Sequence, residues 1–269
     1  MNAIRLATKY VEKPWGRTTL SAAFPEGGGR RIGEVWFDGP EGQALPPLLV
    51  KYIFTSEKLS IQVHPDDAYA RARGLPGGKS ECWLILDAEP GATLGMGTIE
   101  PLDADTLRAA ALDGRIEQLM DWKPVKAGDF FYIPAGTVHA IGAGITLVEV
   151  QQNVDVTYRL YDYGRPRELH LDDGVAVSRA EPYARPAVNV AQAERADLLD
   201  TSRAPFHLAL DTVPAGAAQI GGPGLQWFVP LAGHGLIDGQ AWEAGQCWLL
   251  SGEAALEAST PVRMLAAAA

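Results

Sequence analysis

Four short stretches carry residues whose types and spacing could do chemistry. In "SIQVHP", Gln62 and His64 lie two apart. On a strand, residues two apart point to one face. An amide and an imidazole would then look inward together, while Ile61 and Val63 face the other way. Either neighbours satisfy them or they hold something. In "GGKSECW", Lys79 and Glu81 are again two apart, and they share a face if a strand begins there. In "GDFFYIPAGTVHAIGAG", a strand runs into a tight turn at Pro134 and Gly136, and His139 opens the next strand pointing inward. Proline fixes φ and glycine supplies the unusual φ such a turn needs. In "VEVQQNVDVTYRLYDYGRP", Glu149 ends a β-rich run where it can face the same cavity, and Asp155, Arg159 and Arg165 follow. Read as ordinary folding, the last stretch is a salt-bridged strand end, and a lone inward histidine is a satisfied core residue.

The elements that must position these residues are mostly short strands. Runs such as "RIGEVWFDG", "LLVKYIFTS", "ECWLILDA" and "GITLVEVQQN" are separated by glycine and proline turns, which suggests a sandwich or barrel. Helical patterning is confined. "HPDDAYARARG" predicts one short helix, and "LDADTLRAAALDGRIEQLMDW" predicts two, broken near Gly114, with Asp103 or Asp105 as a cap. "NVAQAERADLLDT" is expected to hold a third short helical piece within a linker, and the closing alanines are expected to fray. A loose internal repeat aligns Lys126–Ile141 with Glu243–Ala258, placing Leu256 opposite His139. Two β lobes of one kind would explain it, the second without metal ligands.

The totals exclude some classes. A net charge of -10 argues against a polyanion binder, because phosphate backbones need a basic surface. An anionic small substrate is compatible only with a local basic cluster. No stretch resembles a signal peptide or reaches transmembrane length, so no membrane partner is expected. Cys82 and Cys247 stand in apolar contexts and read as buried thiols, which points to the cytoplasm. Oligomeric state is not legible.

The segment from Gly128 to His139 is close to the second cupin motif, with Ala143 where an asparagine is usual. Gln62 and the seventeen-residue step from His64 to Glu81 depart from the first. Together with "TYRLYDYGR", "KPWG" and "GEVWFD", these segments resemble class I (cupin-type) mannose-6-phosphate isomerases in their short bacterial form. The resemblance covers about residues 8 to 180. It implies a mainly β fold of two cupin, or jelly-roll, barrel lobes with a few short helices. A catalytic lobe is expected at 1–185, a linker at 186–204, and a degenerate β lobe at 205–269.

The resemblance also implies one divalent metal, most often Zn2+, held by Gln62, His64, Glu81 and His139. An amide oxygen, a carboxylate and two neutral imidazoles suit such a borderline cation. It further implies that mannose 6-phosphate and fructose 6-phosphate are interconverted through a cis-enediol. Glu149 is then the expected base, with Asp155 assisting ring opening or proton shuttling. Lys79 and Arg159 supply positive charge near the reacting oxygens, and Arg165 and Ser60 meet the phosphate. Val154 stands where the family often has serine. Trp15 and Trp36 are expected to be packing residues, and His170, His207 and His234 to be structural. Two other readings stay open: a cupin oxygenase using iron, and a sugar-phosphate-binding cupin that kept its metal and lost turnover.

Overall fold

The computed structural model describes residues 2–40, 42 and 44–269. Its strands form four antiparallel sheets, two per lobe. In the first lobe a seven-stranded sheet faces a five-stranded one. The larger sheet runs Val188–Asn189, Asp129–Ile133, Glu81–Ala88, Ile145–Gln152, Leu48–Phe54, Ile32–Asp38 and Ala7–Arg17. The smaller runs Tyr158–Tyr161, Ile61–Val63, His139–Ile141, Thr93–Thr98 and Met120–Pro124.

The period of two decides what each face carries. On the larger sheet Val35, Phe37, Val50, Tyr52, Cys82, Leu84, Val148 and Val150 point away from the barrel. There they pack against Leu208, Leu210, Trp227, Val229, Leu249 and Leu265 of the second lobe. The intervening positions, Ile53, Trp83, Ile85 and Leu147, point into the barrel, where they meet Leu94, Met96 and Ile141 of the smaller sheet. The buried polar members of this inward set include Glu34, Lys51, Glu81, Glu149 and Gln151. The outer face of the smaller sheet is covered by helices: Ile61, Val63 and Leu160 pack with Leu107, Ala110 and Ala111.

The two helices expected around Gly114 are Ala104–Asp113 and Ile116–Leu119. Asp103 caps the first, its carboxylate accepting from Thr106 N at 2.8 Å. Gly114 ends it in the left-handed region, at φ 83°. The first helix, Asp67–Ala72, is capped likewise by Asp66. A further helix, Leu171–Val177, was not expected; Gly174 lets it press onto the sheet, because a Cβ there would lie 2.7 Å from Leu160 Cδ2.

Two expectations are corrected. The segment read as helical around 189–201 carries the strands Val188–Asn189 and Arg195–Leu199, one in each lobe. Its apolar residues find partners across sheets: Val190 and Leu199 are buried in the core shared by the lobes. The closing alanines do not fray. Val262–Ala268 is a central strand, paired with His207–Val213 on one side and Leu225–Ala232 on the other. Small side chains suit a strand pressed on both faces.

The second lobe pairs a six-stranded sheet with a four-stranded one. Its interior is apolar, with Leu256 buried among Ile237, Trp242 and Trp248. Gly128 and Gly245, aligned in the repeat, both adopt positive φ, 85° and 84°. The strand Ala3–Arg5 pairs with Trp248–Ser251 in the six-stranded sheet of the second lobe. Because one core joins the lobes, they should unfold together. Phe206→Ala, at a fully buried position of that core, should cost about 3–5 kcal/mol and keep a single denaturation transition by both fluorescence and circular dichroism. Two separated transitions would show that each lobe is stable alone.

Candidate metal centre and active-site pocket

Register brings the polar residues together. His139 lies directly opposite Gln62 across one strand pair, and Arg159 lies opposite Gln62 on the other side. His64 follows the Gln62 strand, its carbonyl accepting from Gly136 N at 2.8 Å in the turn before His139. Glu81 begins the facing strand of the larger sheet. Ligand atoms of His64, Glu81 and His139 all lie within 4.8 Å of one another, and all three residues are buried.

The donor set fits a cation. Each imidazole donates its Nδ1–H to a backbone carbonyl: His64 to Val156 O and His139 to Thr137 O, both at 2.9 Å. That leaves both Nε2 lone pairs turned to the Glu81 carboxylate, at 3.3 and 3.4 Å. Burial, reinforced by the Lys79 ammonium, pushes His64 down to about 3; burial also lowers His139. Both rings are therefore neutral at neutral pH, as metal ligation requires. Burial alone would raise Glu81, but the Lys79 ammonium beside it outweighs burial and holds it well below an ordinary glutamate. One carboxylate oxygen, Glu81 Oε1, is buried without a hydrogen-bond partner. An orphan of that kind is what a cation would satisfy. Gln62 turns its Nε2 toward His139 Nε2 at 3.3 Å, and its Oε1 accepts from Ser60 Oγ at 3.0 Å. As a metal ligand it would need a half-turn of the amide, exchanging two nearly isosteric ends.

Lys79 and Glu81 do share the site. The Lys79 ammonium contacts the Glu81 carboxylate and donates to His64 Nε2 at 2.9 Å. Glu149 enters from the next strand. In register it faces Lys51 on one side and Trp83 on the other. Both bind it: Trp83 Nε1 donates to Oε2 at 2.9 Å, and Lys51 Nζ lies 3.3 Å from Oε1. Burial, and then the nearby Glu81 charge, raise Glu149 above an ordinary glutamate. Burial opposes charge on Lys51, but Glu149, Glu34 and Glu81 outweigh it and keep it a cation.

A pocket opens over this cluster. Of the expected site residues it is lined by Ser60, Gln62, Lys79, Glu149, Asp155 and Arg159. Arg165 is not among its lining residues; its guanidinium donates to Lys58 O at 2.6 Å and lies 3.0 Å from Asp162. Arg167 lines the pocket instead, held by both oxygens of the same Asp162 at 2.5 and 2.7 Å. Lys13, Glu34 and Lys51 also line it, as do Trp15 and Trp36, which were expected only to pack. Lys51 Nζ sits 4.6 Å from the Trp36 ring centre, and Trp36 Nε1 donates to Glu34. Alternation carried the missing signal: the lone lysine in "LLVKYIF" and the glutamate in "GEVWFD" fall on the inward face. Five cations and three acids thus surround a small space in an acidic protein. His170 accepts from Arg159 N at 3.2 Å through Nδ1, a supporting role, while His207 and His234 belong to the second lobe.

No family model matches the chain. A mannose-6-phosphate isomerase of Streptococcus mutans is 44% identical over 137 residues, 49% of this chain and 43% of that protein. The chain spans about half the length of the curated relatives it matches first, 43 to 51%. Among solved structures, the mannose 6-phosphate isomerase of Bacillus subtilis is superposable over 100% of both chains, with TM-score 0.80 and 25% identity. A zinc-bound mannose 6-phosphate isomerase shares the fold over 99% of both chains, with TM-score 0.72 and 14% identity.

The buried Lys51–Glu149 pair gives a test of the electrostatics. Lys51→Met strands the carboxylate and should destabilise the protein by about 3–5 kcal/mol at neutral pH. Without Lys51 the Glu149 pKa rises further above its unfolded value. The penalty is therefore present above that raised pKa and relieved as pH falls through it. Denaturation at several pH values checks this; a pH-independent loss would mean Glu149 is not the stranded group.

Proposed function

We propose, from the premise that this chain belongs to the class I mannose-6-phosphate isomerase family, that it interconverts mannose 6-phosphate and fructose 6-phosphate. The observation that carries the reading is the placement of Glu149, a buried carboxylate of raised pKa, in one pocket with Arg159, Lys79 and Gln62, the last two of which contact the His64–Glu81–His139 cluster. The two free, buried cysteines accord with a cytoplasmic location.

The reaction moves a proton between C2 and C1 of the open-chain sugar through a cis-enediol. Glu149 acts as the base; its raised pKa strengthens it relative to an ordinary glutamate. Trp83 and Lys51 fix the direction of its carboxylate. Lys79 and Arg159 present fixed positive charge to the oxygens on which negative charge grows. Asp155, at the exposed mouth, serves proton exchange during ring opening. The phosphate is held at the Ser60 and Arg167 end, with Arg165 behind on the shared Asp162, so that binding there orients the reacting end. Gln62, His64, Glu81 and His139 would hold one zinc ion, which supplies Lewis-acid stabilisation to sugar oxygens when bound.

A coupled assay with mannose 6-phosphate tests the reading. Turnover should vanish on chelation and return with zinc; no turnover by zinc-loaded protein would overturn it. His139→Ala should lose most bound zinc by elemental analysis while keeping its circular dichroism spectrum. Glu149→Gln should lower kcat about 10²–10⁴-fold. In the unsubstituted protein kcat/KM should fall on the acid side as Glu149 takes up a proton, at a pH above that of an ordinary glutamate. An unchanged rate in Glu149→Gln would assign the base elsewhere.

A further inference from the structure

The stretch that carries Lys79 is a loop, Gly77–Ser80, and loops are poor platforms for an ammonium that must meet its partners closely. Here the loop is tied at four backbone groups, Gly78 N, Lys79 N, Ser80 N and Ser80 O. Lys79 N donates to Pro65 O at 3.0 Å, and Gly78 N donates to Asp67 Oδ1 at 2.7 Å. Gly78 is required by close approach, since a Cβ there would lie 2.5 Å from the Asp66 carbonyl carbon. Ser80 Oγ accepts from Ala135 N at 3.1 Å, in the turn that leads to His139.

One side chain joins these ties. Gln152 Oε1 accepts from Ser80 N at 2.9 Å, and Gln152 Nε2 donates to Asp67 Oδ1 at 3.2 Å. Its backbone N donates to Ser80 O at 3.1 Å. Gln152 therefore holds both the N–H and the C=O of Ser80 and braces the carboxylate that holds Gly78. It touches neither the pocket lining nor the three clustered ligands.

We infer that Gln152 is a positioning residue: by bridging Ser80 and Asp67 it locks the Gly77–Ser80 loop so that the Lys79 ammonium stays beside the Glu81 carboxylate. Its kinetic consequence rests on the isomerase reading; its structural consequence does not. Removing the bridge leaves Ser80 N without its acceptor and frees Lys79 to swing. Lys51 supplies an internal control. It is buried as deeply, 7% exposed against 5% for Lys79, but stands on a central strand outside the clamp.

The experiment is amine labelling with acetic anhydride, read at each lysine by peptide mass spectrometry, on the whole zinc-loaded protein. In Gln152→Leu, Lys79 labelling should rise about tenfold while Lys51 stays as protected as before. Gln152→Glu keeps the acceptor for Ser80 N and should expose Lys79 less; it also serves if the leucine variant does not fold. With mannose 6-phosphate, kcat of Gln152→Leu should fall about 10- to 100-fold with KM within about twofold. Unchanged Lys79 labelling, or Lys79 and Lys51 rising together, would overturn the clamp. Absent turnover in the unsubstituted protein would fail the isomerase reading alone, because the labelling is read without substrate.

Discussion

Everything in the first lobe is arranged around one uncomfortable group, the Glu81 carboxylate, which is 1% exposed. A carboxylate taken out of water must be matched by charge and hydrogen bonds or it will take up a proton. Here the match within the chain is the Lys79 ammonium, while His64 and His139 bring neutral Nε2 atoms to the carboxylate and leave its Oε1 for a cation to satisfy. Both imidazoles are in turn oriented by backbone carbonyls. The result is a polar nucleus buried in the barrel, with the pocket beside it where Gln62 and Lys79 reach the lining.

A second layer of charge follows the same logic on a larger scale. Lys13, Glu34, Lys51 and Glu149 form a chain of opposite signs along the inward face of the larger sheet, with successive pairs in contact or in field. Register creates it, because Glu149 faces Lys51 and Lys51 faces Trp36 across neighbouring strands. No member is left uncompensated, and the inward face keeps its polar residues at the open end of the barrel.

Much of this was legible from residue order. The two-residue spacings of Gln62 with His64 and Lys79 with Glu81 pointed to the nucleus, although the strands stop at Val63 and begin at Glu81, so that loops place His64 and Lys79. The Pro134–Gly136 turn before His139 was legible because its backbone demands those residue types. What escaped had tertiary causes. Lys51 and Glu34 looked like incidental charges until neighbouring strands supplied their partners. Arg165 and Arg167 cannot be ranked from spacing, because both converge on Asp162 and only the loop's path decides which reaches the pocket. The 189–201 stretch has helical composition, yet its apolar residues are claimed by two sheets. Terminal alanines look unstructured in isolation, but between two strands their small size is an advantage.

The strand Val262–Ala268 sits in the middle of the sheet that covers the back of the first lobe. During synthesis it is made after its neighbours, His207–Val213 and Leu225–Ala232, which cannot join across the gap until it arrives. Until then Phe37, Tyr52 and Val150 lack their full cover, although every ligand of the cluster has already been made. A nascent chain at that stage carries the chemistry but presents an apolar wall to its surroundings. Timing, rather than local propensity, thus makes the last strand the one that seals the enzyme-like half against aggregation.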